Sequence, residues 1–438
     1  MQLPGEGAAA DGRAMKQTPY WLDSVEPFRN GAAGPLEGRA DVAVIGGGFT
    51  GLSAAMALAQ RGAKVVLLEA ERVVGGASGR NGGHCNNGLS HDFGGAAARL
   101  GLERARALYH AFDAAVDTVE RIAGEEQIAC DFRRCGKIKL AAKPAHYETL
   151  ARSFELLHRE ADPDTALVPA SKIRDEVDSA AFHGGLLYRK SAQLHVGRFG
   201  VGLAQAAHRR GAAIFENARV TAIRRLGGTR HRISSARGEI EAAQVLLATG
   251  ASPQAPWFFR RRLIPVGSFV IATAPLTAAQ LDRVMPTRRN ATTTKHIGNY
   301  FRVSPDNRLI FGGRARFAAS NPRSDRKSGR ILEATLHEIF PQLSDLPIEY
   351  CWGGSVDMSA DRYPRAGERG GIHYAAAYSG HGVQMSVHMG QMMAAVMDGH
   401  PEANPFRELD WPAVPGHFGR PWFLPLVGLY YRFKDLRS

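Results

Sequence analysis

The chain has 438 residues, of which 44% are hydrophobic, and a formal net charge of +13. This length can bury the cores of two domains, and the composition is that of a globular protein rather than a fibrous or disordered one. The basic residues are dispersed, and the richest cluster, at 260–262, is short and follows aromatic residues. We therefore expect the charge to favour anionic cofactors and acidic surfaces, and we expect no nucleic-acid partner.

Cysteine content and the N-terminal residues indicate the cellular setting. The 4 cysteines form no CxxC pair and no His/Cys cluster with zinc spacing, so we expect no metal site and a reducing, cytoplasmic location. Residues 1–18 are polar and of low complexity and lack the apolar segment of a signal peptide, which predicts a disordered extension. No apolar run reaches the length of about 18 residues that a membrane span requires.

The most informative stretch is 41–69. An apolar, β-branched run at 41–45 predicts a strand, and Gly46, Gly48 and Gly51 follow it with GxGxxG spacing. Residues 52–61 have helical composition, and 64–68 predict a second strand that ends in Glu69. In this order the first glycine allows a tight turn, the second lets the backbone approach a pyrophosphate, and the third lets the helix pack closely on the strand. The acid can accept hydrogen bonds from the ribose hydroxyls. The stretch predicts a bound dinucleotide; the alternative is a structural glycine turn in another α/β protein.

A second glycine-rich turn at 72–83 (RVVGGASGRNGG) distinguishes between dinucleotides. A nicotinamide-binding domain does not need it, whereas an extended FAD requires the chain to pass its second phosphate and its isoalloxazine ring. The turn resembles that of the D-amino-acid-oxidase-like superfamily of FAD oxidoreductases. Its ASGRNGG segment is most similar to the gamma-glutamylputrescine oxidoreductase group. The resemblance covers most of the chain, from about Pro19 onwards, and speaks against a nicotinamide-dependent dehydrogenase.

Two later segments carry the same resemblance. Residues 244–247 predict a strand that leads into Ala-Thr-Gly at 248–250, which resembles the third signature of two-dinucleotide-fold flavoproteins. Residues 352–399 contain a strand, a Gly-x-Gly turn and a long helix, whose N-terminus points at the flavin in the family. The expected fold is therefore a Rossmann-like α/β FAD-binding domain with an inserted α+β substrate domain built on an antiparallel sheet.

The expected domain boundaries follow from these segments. The FAD-binding domain is discontinuous, at 19–95, 191–256 and 351–400, and the substrate or roof domain lies at 96–190 and 257–350. The tail at 401–438 contains an apolar segment with basic ends. This segment could dock on its own protein, on a partner or on a membrane surface, and we favour docking on its own protein.

The resemblance implies FAD as the cofactor, bound non-covalently because the family's usual attachment histidine would fall at about Asn81. The residues expected to contact it come from the signatures above and from one further strand. They are Gly46, Gly48, Phe49, Thr50, Gly51, Glu69, Ala70, Ser78, Arg80, Asn81, Gly82, Gly83, Val220, Thr249, Gly250, Gly380, His381, Gly382, Val383 and Gln384.

The resemblance also implies the reaction: hydride transfer from the carbon beside an amine nitrogen to flavin N5, then hydrolysis of the imine. Reoxidation is expected from oxygen, giving peroxide, or from another acceptor. The arginine that fixes an α-carboxylate in amino-acid-oxidising relatives is absent from both matching places, at 352–354 and 380–382. This favours a small-molecule amine with a distal carboxylate, similar to gamma-glutamylputrescine. An enzyme for amino acids or N-methylated amino acids, and a non-catalytic flavin-binding partner protein, remain alternatives.

Candidate residues for this chemistry lie in the predicted roof domain and in the segment 352–399. Arg302 and Arg314 are candidate carboxylate anchors, and Trp352 stands where relatives contact the substrate. His381 is a candidate to polarise the flavin edge, and Lys295 and His296 are candidate oxygen-activating or basic groups.

Overall fold

The computed structural model describes residues 15–437. Its strands are β1 (Arg39–Ile45), β2 (Val65–Leu68), β3 (His84–Cys85), β4 (Lys137–Leu140), β5 (Ala166–Pro169), β6 (Gly184–Tyr188), β7 (Ala192–Gln193), β8 (Ala213–Phe215), β9 (Val220–Gly227), β10 (Arg230–Ser235), β11 (Gly238–Leu247), β12 (Ile264–Pro275), β13 (Asn290–Thr293), β14 (Asn299–Val303), β15 (Arg308–Gly313), β16 (Ile348–Met358), β17 (Arg365–Arg369) and β18 (Ile372–Ala376). Its helices are α1 (Tyr20–Asp23), α2 (Phe49–Gln60), α3 (Phe93–Leu100), α4 (Leu102–Glu125), α5 (Pro144–Glu160), α6 (Val196–Arg209), α7 (Trp257–Arg260), α8 (Ala278–Val284), α9 (Pro322–Ile339), α10 (Gly382–Met397) and α11 (Leu424–Arg437).

The first sheet, here called the nucleotide sheet, has the order β17-β18-β11-β1-β2-β8, and the β9–β10 hairpin extends it from β11. Strands β18, β11, β1, β2 and β8 are parallel. All of β2 and the last four residues of β1 are buried, as is typical of parallel strands that are covered on both faces. Helix α2 packs on β1 and β2 and also against α6 and α10.

The second sheet, here called the roof sheet, has the order β16-β12-β15-β14-β13-β4-β6-β5. Its neighbouring strands are antiparallel, except that β13 and β4 run parallel. Strands β4 to β6 come from the first inserted segment and β12 to β16 from the second. The predicted fold class, a parallel nucleotide-binding sheet with an inserted, mainly antiparallel sheet, is therefore confirmed.

The structure changes two of the expected boundaries. Strand β16 pairs with β12 as far as Met358, so residues 351–358 belong to the roof sheet and not to the nucleotide-binding domain. Helix α4 was expected in the roof domain, but it packs on α10. Its Leu108 and Phe112 share one buried cluster with Leu52 of α2 and Met385 of α10. The inserted segment therefore helps to build the core of the nucleotide-binding domain.

The N-terminal part of the chain enters the roof sheet. Residues 1–14 of the expected disordered extension lie outside the described residues. Lys16, which was expected to belong to that extension, accepts a hydrogen bond from the Cys351 backbone N–H at 2.9 Å and donates its own N–H to Glu349 at 2.8 Å. The expectation of disorder is therefore wrong for Lys16, because β16 offers a free edge for it to pair with.

Within residues 15–437 no helix combines the length and apolarity needed to cross a bilayer. The same residues contain no group of three or more His, Cys, Asp or Glu side chains that could hold a metal ion. The four cysteines are buried and unpaired, and burial raises the pKa of the Cys85 thiol. Cys85 is therefore a packing residue and not a reactive thiol.

His388 of α10 makes the stability of this core depend on pH. Its Nδ1 lies 2.8 Å from the Thr118 hydroxyl of α4, and burial lowers its pKa from 6.5 to about 4. Between these values the unfolded chain binds more protons than the native protein. The contribution of His388 to the free energy of unfolding is therefore fully present above pH 6.5 and is lost as the pH drops towards 4. At pH 5 the loss amounts to about 2 kcal/mol. Urea titrations at pH 7 and pH 5 should show a smaller difference for His388→Gln than for the wild type, and equal differences would contradict this assignment.

Candidate active site

A cavity of about 870 Å³ is lined by residues of both sheets. It begins at the carboxyl ends of β1 and β2, where open α/β sheets bind their ligands. Most residues expected to contact the dinucleotide line it. They are Gly46, Gly48, Phe49, Thr50, Glu69, Ala70, Ser78, Arg80, Asn81, Gly82, Val220, Thr249, Gly250, Gly380, His381, Gly382 and Val383.

The first glycine turn leaves no room for side chains. Gly46 has a φ of 113°, and a Cβ there would lie 2.5 Å from the Ala248 carbonyl oxygen. A Cβ on Gly51 would lie 1.9 Å from the Gly46 carbonyl oxygen. Gly51 does not line the cavity; it lets α2 approach β1, so that the N-terminus of α2 faces the ligand space with its free N–H groups.

The Glu69 carboxylate is held in place by backbone groups. Its Oε2 accepts a hydrogen bond from Gly47 N–H at 2.7 Å, and its Oε1 accepts one from Glu71 N–H at 2.9 Å. Each carboxylate oxygen has a second lone pair that remains available. Glu69 can therefore accept hydroxyl donors from the cavity, as a ribose would supply.

The second glycine turn is fixed by its own polar side chains. Arg80 donates through Nε to the Gly75 carbonyl oxygen at 3.0 Å and through Nη1 to that of Gly353 at 3.1 Å. Asn81 donates to the Ser78 carbonyl oxygen at 2.8 Å, and the Ser78 hydroxyl accepts the first N–H of α2 at 3.0 Å. The two glycine turns are thereby joined into one wall.

The third signature and the closing helix complete the cofactor side. The Thr249 hydroxyl is buried and has no hydrogen-bond partner among the described residues, although Thr249 lines the cavity. Helix α10 begins at Gly382 and directs its positive N-terminal end into the same space. An unpaired buried hydroxyl, two helix N-termini and an oriented carboxylate fit the phosphates, ribityl chain and ribose of FAD.

The closing turn before α10 has a strained backbone. Ala377 and Ser379 have φ values of 66° and 51°, a region that costs non-glycine residues about 1–3 kcal/mol each. Asp357 stabilises the turn by accepting a hydrogen bond from Ala377 N–H at 2.8 Å, and burial raises the pKa of its carboxyl to about 6. The Tyr378 hydroxyl lies 2.6 Å from that of Thr50, which ties the closing turn to α2.

Of the three histidines that line the cavity, His84 and His381 are neutral. The Nδ1 of His381 lies 3.1 Å from the Ser90 hydroxyl, and burial together with Lys137 lowers its pKa to about 3. Burial and the nearby Arg302 lower the pKa of His84 to about 3 as well. Both rings can therefore donate or accept a hydrogen bond at neutral pH, but neither brings a positive charge to the cavity.

Lysine and arginine side chains line the cavity at six positions: Arg80, Lys139, Arg219, Lys295, Arg314 and Arg362. Arg314 follows β15 and Lys139 lies on β4, and both line the cavity. Neither forms a hydrogen bond or an ion pair with another residue in the part of the chain that the structure describes. Burial lowers the pKa of each. Both side chains are half-buried, and charges withdrawn from bulk water are normally paired, so two unpaired cations indicate space for an anionic group of a ligand.

Two of the expected substrate contacts are not at the cavity. Arg302 is 1% exposed and donates to the backbone carbonyl oxygens of Gly82 and Leu194, each at 2.9 Å. Trp352 is fully buried, and its indole N–H donates to the Arg80 carbonyl oxygen at 2.9 Å. Both side chains support the second glycine turn from behind, so their expected role in substrate binding is wrong.

Three expected contacts of the cofactor also lie outside the cavity lining: Gly51, Gly83 and Gln384. A Cβ on Gly83 would meet the Arg302 guanidinium at 2.6 Å, so this glycine serves packing. Gln384 is buried and donates to the Asn86 carbonyl oxygen.

The expected catalytic pair Lys295 and His296 lies at the cavity rim, where both side chains are exposed. The His296 N–H donates to Asp435 at 2.8 Å, and its ring stacks on Tyr431 with 5.3 Å between centroids. Both partners belong to α11. The pair therefore connects the cavity mouth to the C-terminal helix and is not in the buried part of the site.

Sequence reasoning missed several cavity residues, of which Lys139 matters most. Its run at 136–142 alternates as a half-exposed strand would, which suggests a solvated lysine. Strand β4, however, is paired on both sides, with β13 and β6, and this position opens into the cavity. A charged residue within an interior strand is a usable signal, but only once the sheet order is known.

Comparison with known proteins identifies the family. Residues 41–396 match DAO, the family described as FAD dependent oxidoreductase. The chain belongs to this family. A relative in Haemophilus influenzae, the probable oxidoreductase OrdL, is 32% identical over 405 residues, which cover 90% of this chain and 92% of the relative. The gamma-glutamylputrescine oxidoreductase of Escherichia coli is 31% identical over 402 residues, with the same shares.

Solved structures share the fold of this chain. The L-proline dehydrogenase of P. horikoshii superposes with a TM-score of 0.70 at 19% identity, over 85% of this chain and 98% of that one. This DAO-family protein is thus an FAD-dependent oxidoreductase, and the cavity described above is the place where its residues fit the cofactor. The prediction of the family and of FAD is confirmed.

Proposed function

We propose that this DAO-family oxidoreductase oxidises the C–N bond of an amine whose carboxylate lies far from the reacting carbon, as in gamma-glutamylputrescine. The observation that carries the proposal is the pair of unpaired cations, Arg314 and Lys139, on the roof sheet. The closing turn offers no cation, since His381 is uncharged, residues 377–383 contain no lysine or arginine, and the Asp357 carboxylate lies against the turn. A carboxylate would therefore bind at the roof and not beside the closing turn.

When bound, FAD supplies the acceptor for the two electrons of the amine C–H bond. The residues of this chain hold the two parts of the cofactor. We propose that Glu69 and the two glycine turns hold the adenosine and diphosphate, and that Thr249 and the start of α10 hold the remainder. The flavin is bound non-covalently in this proposal, because the two nearby candidates for attachment are engaged elsewhere. Cys85 is buried in packing, and the Nε2 of His84 lies 3.3 Å from the Phe301 carbonyl oxygen.

The enclosed cavity also selects the reactive form of the substrate. An amine must be neutral to lose hydride, and the loss of water in the cavity disfavours its protonated form. The buried histidines, whose pKa values are about 3, are weak bases and serve to orient the amine.

Anaerobic bleaching of the flavin tests this proposal. We expect gamma-glutamylputrescine to reduce the flavin at least about 10-fold more efficiently than its methyl ester or free putrescine, because only the acid places an anion beside the roof cations. Acid precipitation of the same protein should release all the flavin. Preferred reduction by glycine, sarcosine or other free amino acids would replace this proposal with an amino-acid oxidase. A flavin that no amine bleaches would overturn it in favour of a non-catalytic flavin-binding protein.

A further inference from the structure

One face of the C-terminal helix α11 packs against the rest of the protein. Leu424, Gly428, Tyr431 and Asp435 follow one another at helical spacing and turn inward. The Asp435 carboxylate accepts the N–H groups of residues 296 and 297 at 2.8 and 2.9 Å. Tyr431 also lies against Phe317, with 6.1 Å between ring centroids. The helix is thereby seated at the rim of the cavity.

The opposite face of α11 is apolar and largely uncovered; the Arg437 guanidinium of the same helix lies 4.1 Å from the Phe433 ring centroid. Leu426, Leu429, Phe433 and Leu436 are 60%, 62%, 51% and 82% exposed. Their spacing of three and four residues places them in one stripe along the helix. An exposed apolar stripe of this length is unusual on a monomer and indicates a binding surface.

Aromatic side chains continue this stripe beyond the helix. Trp422 and Phe418, which precede α11, are 66% and 62% exposed, and Phe418 stacks on Trp257 of α7 with 6.4 Å between centroids. The Arg261 guanidinium lies 5.9 Å from the Trp257 ring centroid and 5.8 Å from that of Phe418. Large aromatic rings beside arginines are the side chains that settle at the boundary between lipid and water.

The charges around the stripe are positive. Arg432 flanks it on one side and Lys434 and Arg437 on the other, and all three are exposed. The one acid of the helix, Asp435, faces inward and is engaged. A groove lined by five further cations begins at residues next to Phe317, which packs on Gly428 of the helix. An anionic surface therefore complements this region.

We propose that the outer face of α11, together with the Trp257–Phe418–Trp422 cluster, docks on an anionic phospholipid bilayer and so holds the cavity mouth beside the membrane. The apolar stripe would enter the acyl boundary while the flanking cations contact phosphate headgroups. A second copy of the chain fits less well, because a symmetric contact would set Arg432, Lys434 and Arg437 against the same cations of the other copy.

Sedimentation with vesicles tests this surface on the full-length, FAD-loaded protein. We expect it to sediment with vesicles of phosphatidylcholine and phosphatidylglycerol, far less with phosphatidylcholine alone, and less at high salt than at low salt. Neutralising Arg432, Lys434 and Arg437 with glutamine should weaken binding about fivefold for each charge. The matched control neutralises three exposed arginines elsewhere, as Arg152→Gln, Arg224→Gln and Arg230→Gln, and should retain most of the binding.

The double variant Leu429→Ser, Phe433→Ser separates the apolar contribution from the charges. It should lose vesicle binding while it keeps its flavin, which shows that the fold is intact. Absence of sedimentation with anionic vesicles at low salt, or equal losses in the charge variant and its control, would overturn the proposal. A wild-type dimer in analytical ultracentrifugation that this double variant abolishes would assign the surface to a second copy instead. Neither readout depends on which amine the enzyme oxidises.

Discussion

Replacing Arg314 with methionine is expected to lower kcat/KM for gamma-glutamylputrescine by roughly 100-fold, equivalent to about 3 kcal/mol. The variant removes a half-buried cation that lines the cavity, has no hydrogen-bond or ion-pair partner in the described protein and is free to pair with a substrate carboxylate. Because this carboxylate is bound equally in the ground state and the transition state, most of the loss should appear in KM and little in kcat. Steady-state kinetics together with anaerobic flavin reduction would measure both parts.

The methyl ester of the substrate provides the internal control for Arg314. It lacks the anion, so Arg314→Met should change its kinetics little, and the two changes should be strongly non-additive. Arg330→Met makes the same chemical change at an exposed position of the second inserted segment and should leave both substrates unaffected. If Arg314→Met reduced turnover of the acid and the ester alike, Arg314 would support the structure and would not bind the carboxylate.

Gly51→Ala is expected to yield protein that is depleted of FAD and destabilised by about 3 kcal/mol or more. The added Cβ would fall 1.9 Å from the Gly46 carbonyl oxygen and 3.2 Å from the Val44 side chain. The first of these is backbone in a turn with positive φ, so α2 must move away from β1 and the diphosphate site widens. The flavin-to-protein absorbance ratio and the thermal unfolding midpoint measure the two effects.

Gly124→Ala is the matched control, since it makes the same change in a helix where the new Cβ meets no atom within 4 Å. Removing a helical glycine there should leave the flavin content unchanged and raise stability by up to about 1 kcal/mol. A Gly51→Ala protein with full flavin and wild-type stability would show that the close approach of α2 to β1 is not needed for the cofactor site.

The nucleotide-binding unit could be predicted because its causes are local. The apolar strands, the glycines at 46, 48 and 51, and Glu69 all lie within one short stretch, and backbone sterics alone impose their order. The structure places the predicted strands and the helix there with small changes at their ends: β1 begins at Arg39 and α2 at Phe49. The second and third signatures are also short local stretches, and they could be assigned because they resemble known patterns.

The substrate side could not be predicted from such local causes. Arg302 and Arg314 stand in similar strand patterns, yet one is buried and the other lines the cavity. What separates them is contact across the fold: Arg302 donates to carbonyl oxygens of Gly82 and Leu194, which are distant in sequence. Lys139 was missed because strand alternation does not show whether a side chain faces water or an internal cavity.

Helix 96–127 illustrates a smaller failure with a clear cause. The apolar spacing of residues 96–127 predicts one helix, but Gly101, with a φ of 84°, ends α3 and precedes the start of α4. Likewise the residue pattern predicts a helix over 329–340, but α9 begins at Pro322, because Asn321 caps it and accepts the Ser324 N–H at 2.9 Å. Polar residues in a first turn hide a helix from a search for apolar periodicity.

The shared cluster of α2, α4 and α10 has a consequence for how the enzyme moves. Leu108 and Phe112 of the inserted segment share one core with Leu52 and Met385, so the segment cannot swing away from the nucleotide sheet without exposing that core to water. Substrate entry by a hinge between two rigid lobes would carry this cost on every turnover. Substrate access therefore depends on smaller movements of residues at the cavity mouth.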